Sequence, residues 1–428
     1  MTSACISNPP LTAPTIHQLP NGLTIVAESM PSTAVSLNLW LNVGSYLETA
    51  AINGMAHFLE HMIFKGTPRL AVGEFERLVE ERGAMTNAAT SQDYTHYYIT
   101  TAPKDFATLA PLQIDVVTNP LIPDREFETE RMVVLEEIRR SHDHPQRRIY
   151  QRSMEVGFDR LPYRRSVLGP EEVISQVTPQ QMRYFHATHY QPQRMTAVAV
   201  GNLPVDELIN IVADGFLAQG GSLPSLEVTG QKSRPQLEPS FTRVVREEYT
   251  DPSLQQARLM MMWRVPGSID LEQTYPLDIL AAILGSGRTS RLVKELREEK
   301  QLVNSISVSN MTHRVQGLFY LSAQLPTANI PQVEATIAAH IANLQHNLVT
   351  STEINRVRRQ VANRYIFGTE TPSDRANLYG YYRSVVGDIT PALNYPQQIH
   401  AIKPHHLQLA AQKYLSPTAY AVVTVKPG

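Results

Sequence analysis

Gly54-Met55-Ala56-His57-Phe58-Leu59-Glu60-His61 lies within residues 52–65, whose hydrophobic pattern predicts a helix. His57 and His61 are four residues apart, so both imidazoles leave one helix face, stacked a turn apart. Two nitrogens placed in that way can reach one zinc ion at about 2.0–2.1 Å each. Glu60 follows His57 by three residues on the same side, where a carboxylate can take a proton from activated water. The order His-x-x-Glu-His inverts the commoner His-Glu-x-x-His arrangement.

A catalytic zinc needs a third protein ligand and one open position for water. Residues 125–141 (REFETERMVVLEEIRRS) predict a second helix, with Asp124 as its N-cap. On a helical wheel Phe127, Val134 and Ile138 form an apolar stripe with Leu135 beside it. Glu130 and Glu137, seven residues apart, fall on one flank of that stripe, whereas Glu136 points away from it. Glu137 is therefore the expected third ligand. Glu130 joins Glu60 as an expected catalytic carboxylate, in the supporting role of holding a ligating histidine in one tautomer. Glu126, Glu128 and Glu136 read as a solvated charge run.

Around these helices the chain alternates between strand-like and helix-like segments. Residues 22–28 and 34–43 carry the alternation of half-buried strands, 84–102 reads as strands, and 105–118 as a helix. A strand at 195–200 and a helix at 204–219 follow. Residues 220–241, with three glycines and three prolines, read as an interdomain linker between a domain 1–219 and a domain 242–428. Beyond the linker the order recurs: a strand at 256–264, helices at 272–284 and 289–299, strands at 302–324, helices at 330–347 and 352–366, and a strand at 419–425. The recurrence suggests duplication, and the irregular alternation predicts an α+β fold with mixed sheets.

Composition narrows the partners. The 428 residues carry 38 Lys+Arg against 40 Asp+Glu, a formal net charge of −2, which argues against nucleic acid. The single cysteine, Cys5, excludes an intrachain disulfide and fits a reducing, cytoplasmic setting. No apolar run is long enough to predict a membrane span, and residues 1–20 lack the pattern of a secretory signal. Of the remaining histidines, His142, His144, His405 and His406 read as solvated, and His96 as a packed sheet residue. Gly285-Ser286-Gly287 lacks the Lys-Ser/Thr of a phosphate loop.

The His57–His61 motif, with Glu137 following His61 by 76 residues, resembles the pitrilysin family of zinc peptidases, in its mitochondrial-processing-peptidase-like branch. Asn21-Gly22-Leu23, Phe64-Lys65-Gly66-Thr67, Asn87-Ala88-Ala89-Thr90, Tyr190-Gln191-Pro192 and Leu284-Gly285-Ser286-Gly287 also match. The resemblance implies two homologous domains per chain, the first holding one zinc and the second no metal. Two chains would close a hollow chamber, and an unfolded peptide or presequence would add as a strand along 85–90, with Asn87 and Ala88 as contacts. It further implies that Glu60 shuttles the proton and that an arginine and a tyrosine seven apart in the second domain steady the oxyanion. Arg297 stands at the arginine position, but Asn304 stands at the tyrosine position. That departure favours a heterodimer, in which a different partner chain supplies the pair, over a homodimer. The competing expectation is a non-catalytic core subunit of a larger complex, although such relatives typically lose the metal set that is complete here.

Overall fold

The computed structural model describes residues 13–218 and 236–428. In the N-terminal half, β1 (Thr15–Gln18), β2 (Thr24–Ser29), β3 (Val35–Leu41), β4 (Met85–Thr90), β5 (Thr95–Thr101) and β6 (Met195–Gly201) form one sheet, ordered β1-β2-β6-β3-β5-β4. Its helices are α1 (Met55–Met62), α2 (Glu74–Glu81), α3 (Pro103–Thr118), α4 (Asp124–Asp143), α5 (Pro145–Gly157), α6 (Glu171–Ile174), α7 (Pro179–His189) and α8 (Val205–Leu217). In the C-terminal half, β7 (Val245–Asp251), β8 (Ala257–Pro266), β9 (Ser305–Met311), β10 (Gln316–Leu325) and β11 (Ala421–Pro427) form a second sheet, ordered β7-β11-β8-β10-β9. The helices α9 (Tyr275–Gly285), α10 (Ile330–His346), α11 (Ser351–Phe367), α12 (Pro372–Tyr381), α13 (Thr390–Ala401) and α14 (Pro404–Tyr414) accompany it.

Without β1, the two sheets have one topology. In each, the last strand inserts between the first two, parallel to the first and antiparallel to the second. Both are thus mixed and mainly antiparallel, and the α+β expectation with two homologous domains holds. The strand at 34–43 departs from its expected half-buried alternation, because every residue of β3 is buried. The cause is a helix on each face. One face packs against the half's own helices, and the other is covered by α12 and the residue preceding α13 from the C-terminal half, where Ala376, Tyr379 and Ile389 meet Val26, Trp40, Val198 and Val200. A Cβ on Gly380 would fall 2.1 Å from Trp40 Nε1, so glycine permits this approach. Glu28 accepts a 2.9 Å hydrogen bond from Tyr379 Oη and pairs with Arg375.

The exchange is reciprocal. Helix α5 of the N-terminal half lies on the second sheet, where Ile149 and Met154 pack with Met260, Met262, Leu318 and Val423. The Arg148 guanidinium pairs with Asp251 at 2.5 Å on β7. Of the expected linker, residues 220–235 lie outside the described residues. Residues 236–241 are anchored through Glu238, which is only 4% exposed. Its carboxylate accepts backbone N–H bonds from Asp159 (2.7 Å), Arg160 (2.8 Å) and Leu161 (2.7 Å) and faces Arg264 at 2.8 Å. Among the described residues no helix is long and apolar enough to cross a membrane.

Candidate metal centre

Helix α1 begins at Gly54, whose φ of +97° suits glycine. A Cβ there would also lie 2.4 Å from Leu168 O, so the helix start is pressed against a neighbouring loop. Glu48 supplies what the glycine cap cannot. Its buried carboxylate accepts the N–H groups of Gly54 (2.7 Å) and Ala56 (2.8 Å) and the side chain of Asn53 (2.8 Å). A carboxylate at that end also complements the helix dipole. Helix α4 runs alongside with Phe127, Val134, Leu135 and Ile138 buried, as the periodicity predicts. Asp124 is not its N-cap: Pro123 takes that place and the Asp124 carboxylate pairs with Arg183.

This packing brings one ligand atom each of His57, His61 and Glu137 within 4.8 Å of one another. His57 Nε2 lies 3.4 Å and His61 Nε2 3.6 Å from Glu137 Oε2. Tetrahedral bonds of about 2.0–2.1 Å separate ligand atoms by about 3.4 Å, so the donor set and its spacing fit zinc. His61 Nδ1 meets Glu130 Oε1 at 2.9 Å, and Lys65 Nζ meets the other Glu130 oxygen at 2.7 Å. Glu130 is thus placed beside a histidine rather than at the converging atoms, in the supporting geometry drawn from the helical wheel. His57 Nδ1 is buried and has no hydrogen-bond partner among the described residues.

The electrostatics divide the two imidazoles. Burial, with the charge of His61, pushes His57 down to about 4. Burial opposes the charged form of His61 as well, yet the carboxylates of Glu130, Glu137 and Glu60 lift it to about 9. The hydrogen bond with His61 holds the Glu137 carboxyl below its usual range against its burial, and the charges of His57, His61 and Arg147 add to this. Burial pushes the Glu60 carboxyl up, and a hydrogen bond donated by Thr90 Oγ1 restrains the rise.

Thr90 ends β4, which among the described residues is an edge strand paired only with β5. Asn87 is exposed on it, and the Ala88 N–H donates to Asn87 Oδ1 at 2.9 Å. A cleft of about 930 Å³ opens beside it, bordered by His57, Glu60, Ala89, Thr90 and Glu137. Arg297 and Asn304 do not border this cleft. The Arg297 guanidinium pairs with Glu298 at 2.6 Å, and Asn304 is exposed with its N–H on Gln324 O at 2.8 Å. His142 and His144 are exposed, as expected, but both border the cleft. His96 stacks on Trp40 with ring centroids 4.3 Å apart, a packed sheet residue. Sequence reasoning missed the parts played by Glu48, Thr90 and Lys65. Lys65 lies 65 residues from Glu130 and Thr90 lies 30 residues from Glu60, so neither pairing leaves a local pattern.

The C-terminal half repeats the layout without the ligands. Helices α9 and α11 with β9 border a cleft of about 460 Å³ whose lining includes Asp278, Ala281, Asn310 and Tyr395 but no histidine. Asp278 accepts hydrogen bonds from Asn310 (2.8 Å) and Tyr395 (3.2 Å), and burial pushes it up to about 6. A carboxyl raised from 3.8 contributes stability that is full below about 3.8 and lost as pH rises through about 6. Asp278→Asn should therefore melt higher than the native chain above pH 6, with the advantage vanishing below about pH 4, in thermal unfolding followed across that range.

These two halves, one carrying a converging His-His-Glu set and the other, among the described residues, lacking it, define an α+β protein with a candidate zinc site in one half. The chain belongs to the insulinase family, peptidase family M16: the family model matches residues 24–171, and that of the peptidase M16 inactive domain matches 176–361. This is the pitrilysin family expected from the motif. An uncharacterized zinc protease of Mycobacterium tuberculosis is 30% identical, the alignment covering 87% of this chain and 86% of that protein. A protease from Helicobacter pylori of known crystal structure superposes with a TM-score of 0.88 at 26% identity, over 97% of this chain and 99% of that one. The structure titled peptidase M16 inactive domain from Pseudomonas fluorescens shares the fold, with a TM-score of 0.84 at 19% identity, over 97% and 98% of the chains.

Proposed function

We propose that the chain is a zinc-dependent metalloendopeptidase that cleaves unfolded peptides lying along β4. The observation that carries this reading is the convergence of His57, His61 and Glu137 next to Glu60, a carboxylate outside the ligand set. When bound, zinc supplies Lewis-acid activation of water and of the scissile carbonyl. Glu60, on the same helix face, takes the proton and returns it to the leaving amine. Thr90 orients the Glu60 carboxylate and, as the end of β4, ties that orientation to the strand a substrate would join. Glu130 fixes the His61 ring with Nε2 directed at Glu137, and Lys65 keeps the Glu130 carboxylate charged.

The wider reading is a two-chain chamber in a reducing, cytoplasmic compartment, with one zinc in this chain. Arg297 and Asn304 stand away from their own chain's cleft, which supports a partner chain as the source of oxyanion stabilisation. Asn304 favours a non-identical partner. Peptide cleavage by the purified chain, alone and with candidate partner chains, should vanish on chelation and return with added zinc. Glu130→Ala should raise the zinc needed for half-recovery roughly 10–100-fold. Cleavage that resists chelation overturns the proposal.

A further inference from the structure

Apart from the converging ligands and Glu60, the charged lining of the metal-side cleft is mainly cationic. Arg147, Arg148 and Arg152 come from α5 and Arg165 from the segment before α6, against the single carboxylate of Glu155. Two of the four arginines are engaged by the fold. Arg148 pairs with Asp251, and Arg165 donates to the Glu48 carbonyl at 2.7 Å. The other two keep their donors available. Arg147 is exposed and its guanidinium makes no hydrogen bond or ion pair among the described residues. The Arg152 guanidinium carbon lies 3.9 Å from the Tyr249 ring centroid, a cation–π contact, and its N–H groups have no hydrogen-bond or ion-pair partner among the described residues. Glu155 is taken up by the Gln151 amide at 2.9 Å and neutralises neither arginine.

We propose that this cleft selects peptides bearing Asp or Glu side chains close to the scissile bond, with Arg147 and Arg152 as the groups that recognise them. Two guanidinium forks beside one extended strand suit carboxylates spaced along it, and they repel lysine-rich or arginine-rich peptides. The inference rests on the peptidase reading for its biological meaning, but its test needs no turnover.

The zinc-loaded Glu60→Gln protein is titrated by fluorescence anisotropy with three C-terminally amidated peptides. They share one sequence except for two positions occupied by Glu, Gln or Lys. A fourth carries Gln and a free C-terminal carboxylate, which separates side-chain recognition from terminal recognition. The Glu peptide should bind roughly tenfold or more tightly than the Gln peptide, with the gap narrowing as salt screens the charges. Added to the same background, Arg147→Gln with Arg152→Gln should close the gap, and Arg152→Glu should move the preference towards Lys. Equal binding of the amidated three, tight binding of the free-carboxylate peptide alone, or a gap that survives in the double-glutamine protein each overturns the assignment. Selective binding by a chain whose native form cleaves no peptide would defeat the peptidase reading and leave this one standing.

Discussion

Glu60→Gln should lower kcat/KM for peptide cleavage roughly 10²–10⁴-fold while leaving zinc content unchanged. The two halves of that expectation come from different observations. The zinc content should hold because the converging atoms belong to His57, His61 and Glu137, and Glu60 is not among them. The rate should fall because glutamine keeps the size and shape of the side chain, and an oxygen for Thr90 Oγ1 to donate to, but cannot accept a proton at neutral pH. Glu137→Gln is the contrasting variant, since it removes a charged ligand and should lose zinc and activity together. Metal analysis of both proteins beside their kinetics separates the cases. A Glu60→Gln protein with native turnover would refute the assigned role.

The second large effect is structural and lies outside the His57, His61 and Glu137 cluster. Glu238→Gln should destabilise the chain by about 3–5 kcal/mol in denaturant unfolding. The Arg264 side chain is only 3% exposed, and Glu238, at 2%, is its buried counter-charge. Asp159, its other acidic neighbour, has a side chain 71% exposed and gives a weaker, more screened charge. The amide also weakens the acceptor for the three backbone N–H groups of Asp159, Arg160 and Leu161. A Glu238→Gln protein within about 0.5 kcal/mol of native would show that the anchor contributes little.

The His57–His61 face of α1 and the α4 stripe were legible because both rest on local periodicity: residues three, four and seven apart share a helix face whatever surrounds them. Glu137 was separable from Glu136 on that ground alone, and Glu136 is paired with Arg140 on the solvent side. Strand burial was not legible, since one of the two buried faces of β3 is covered by a helix that begins more than 300 residues later. Glu48 was invisible for a related reason. A carboxylate that caps a helix from outside the usual capping position leaves no pattern at fixed spacing. The anchoring of residues 236–241 was not legible, because proline and low periodicity mark irregular backbone without saying whether a buried carboxylate binds it to its neighbours' N–H groups.

The reciprocal cover of α5 and α12 bears on how the molecule can move. Two domains joined by a small, wet boundary can swing about it like a hinge. Here each half supplies an apolar layer to the other's sheet, and parting them would bare both Trp40 and Met260 to water. One chain therefore behaves as a single stiff shell. In the two-chain chamber proposed above, substrate would therefore enter by separation of the chains and not by a swing between the halves of one.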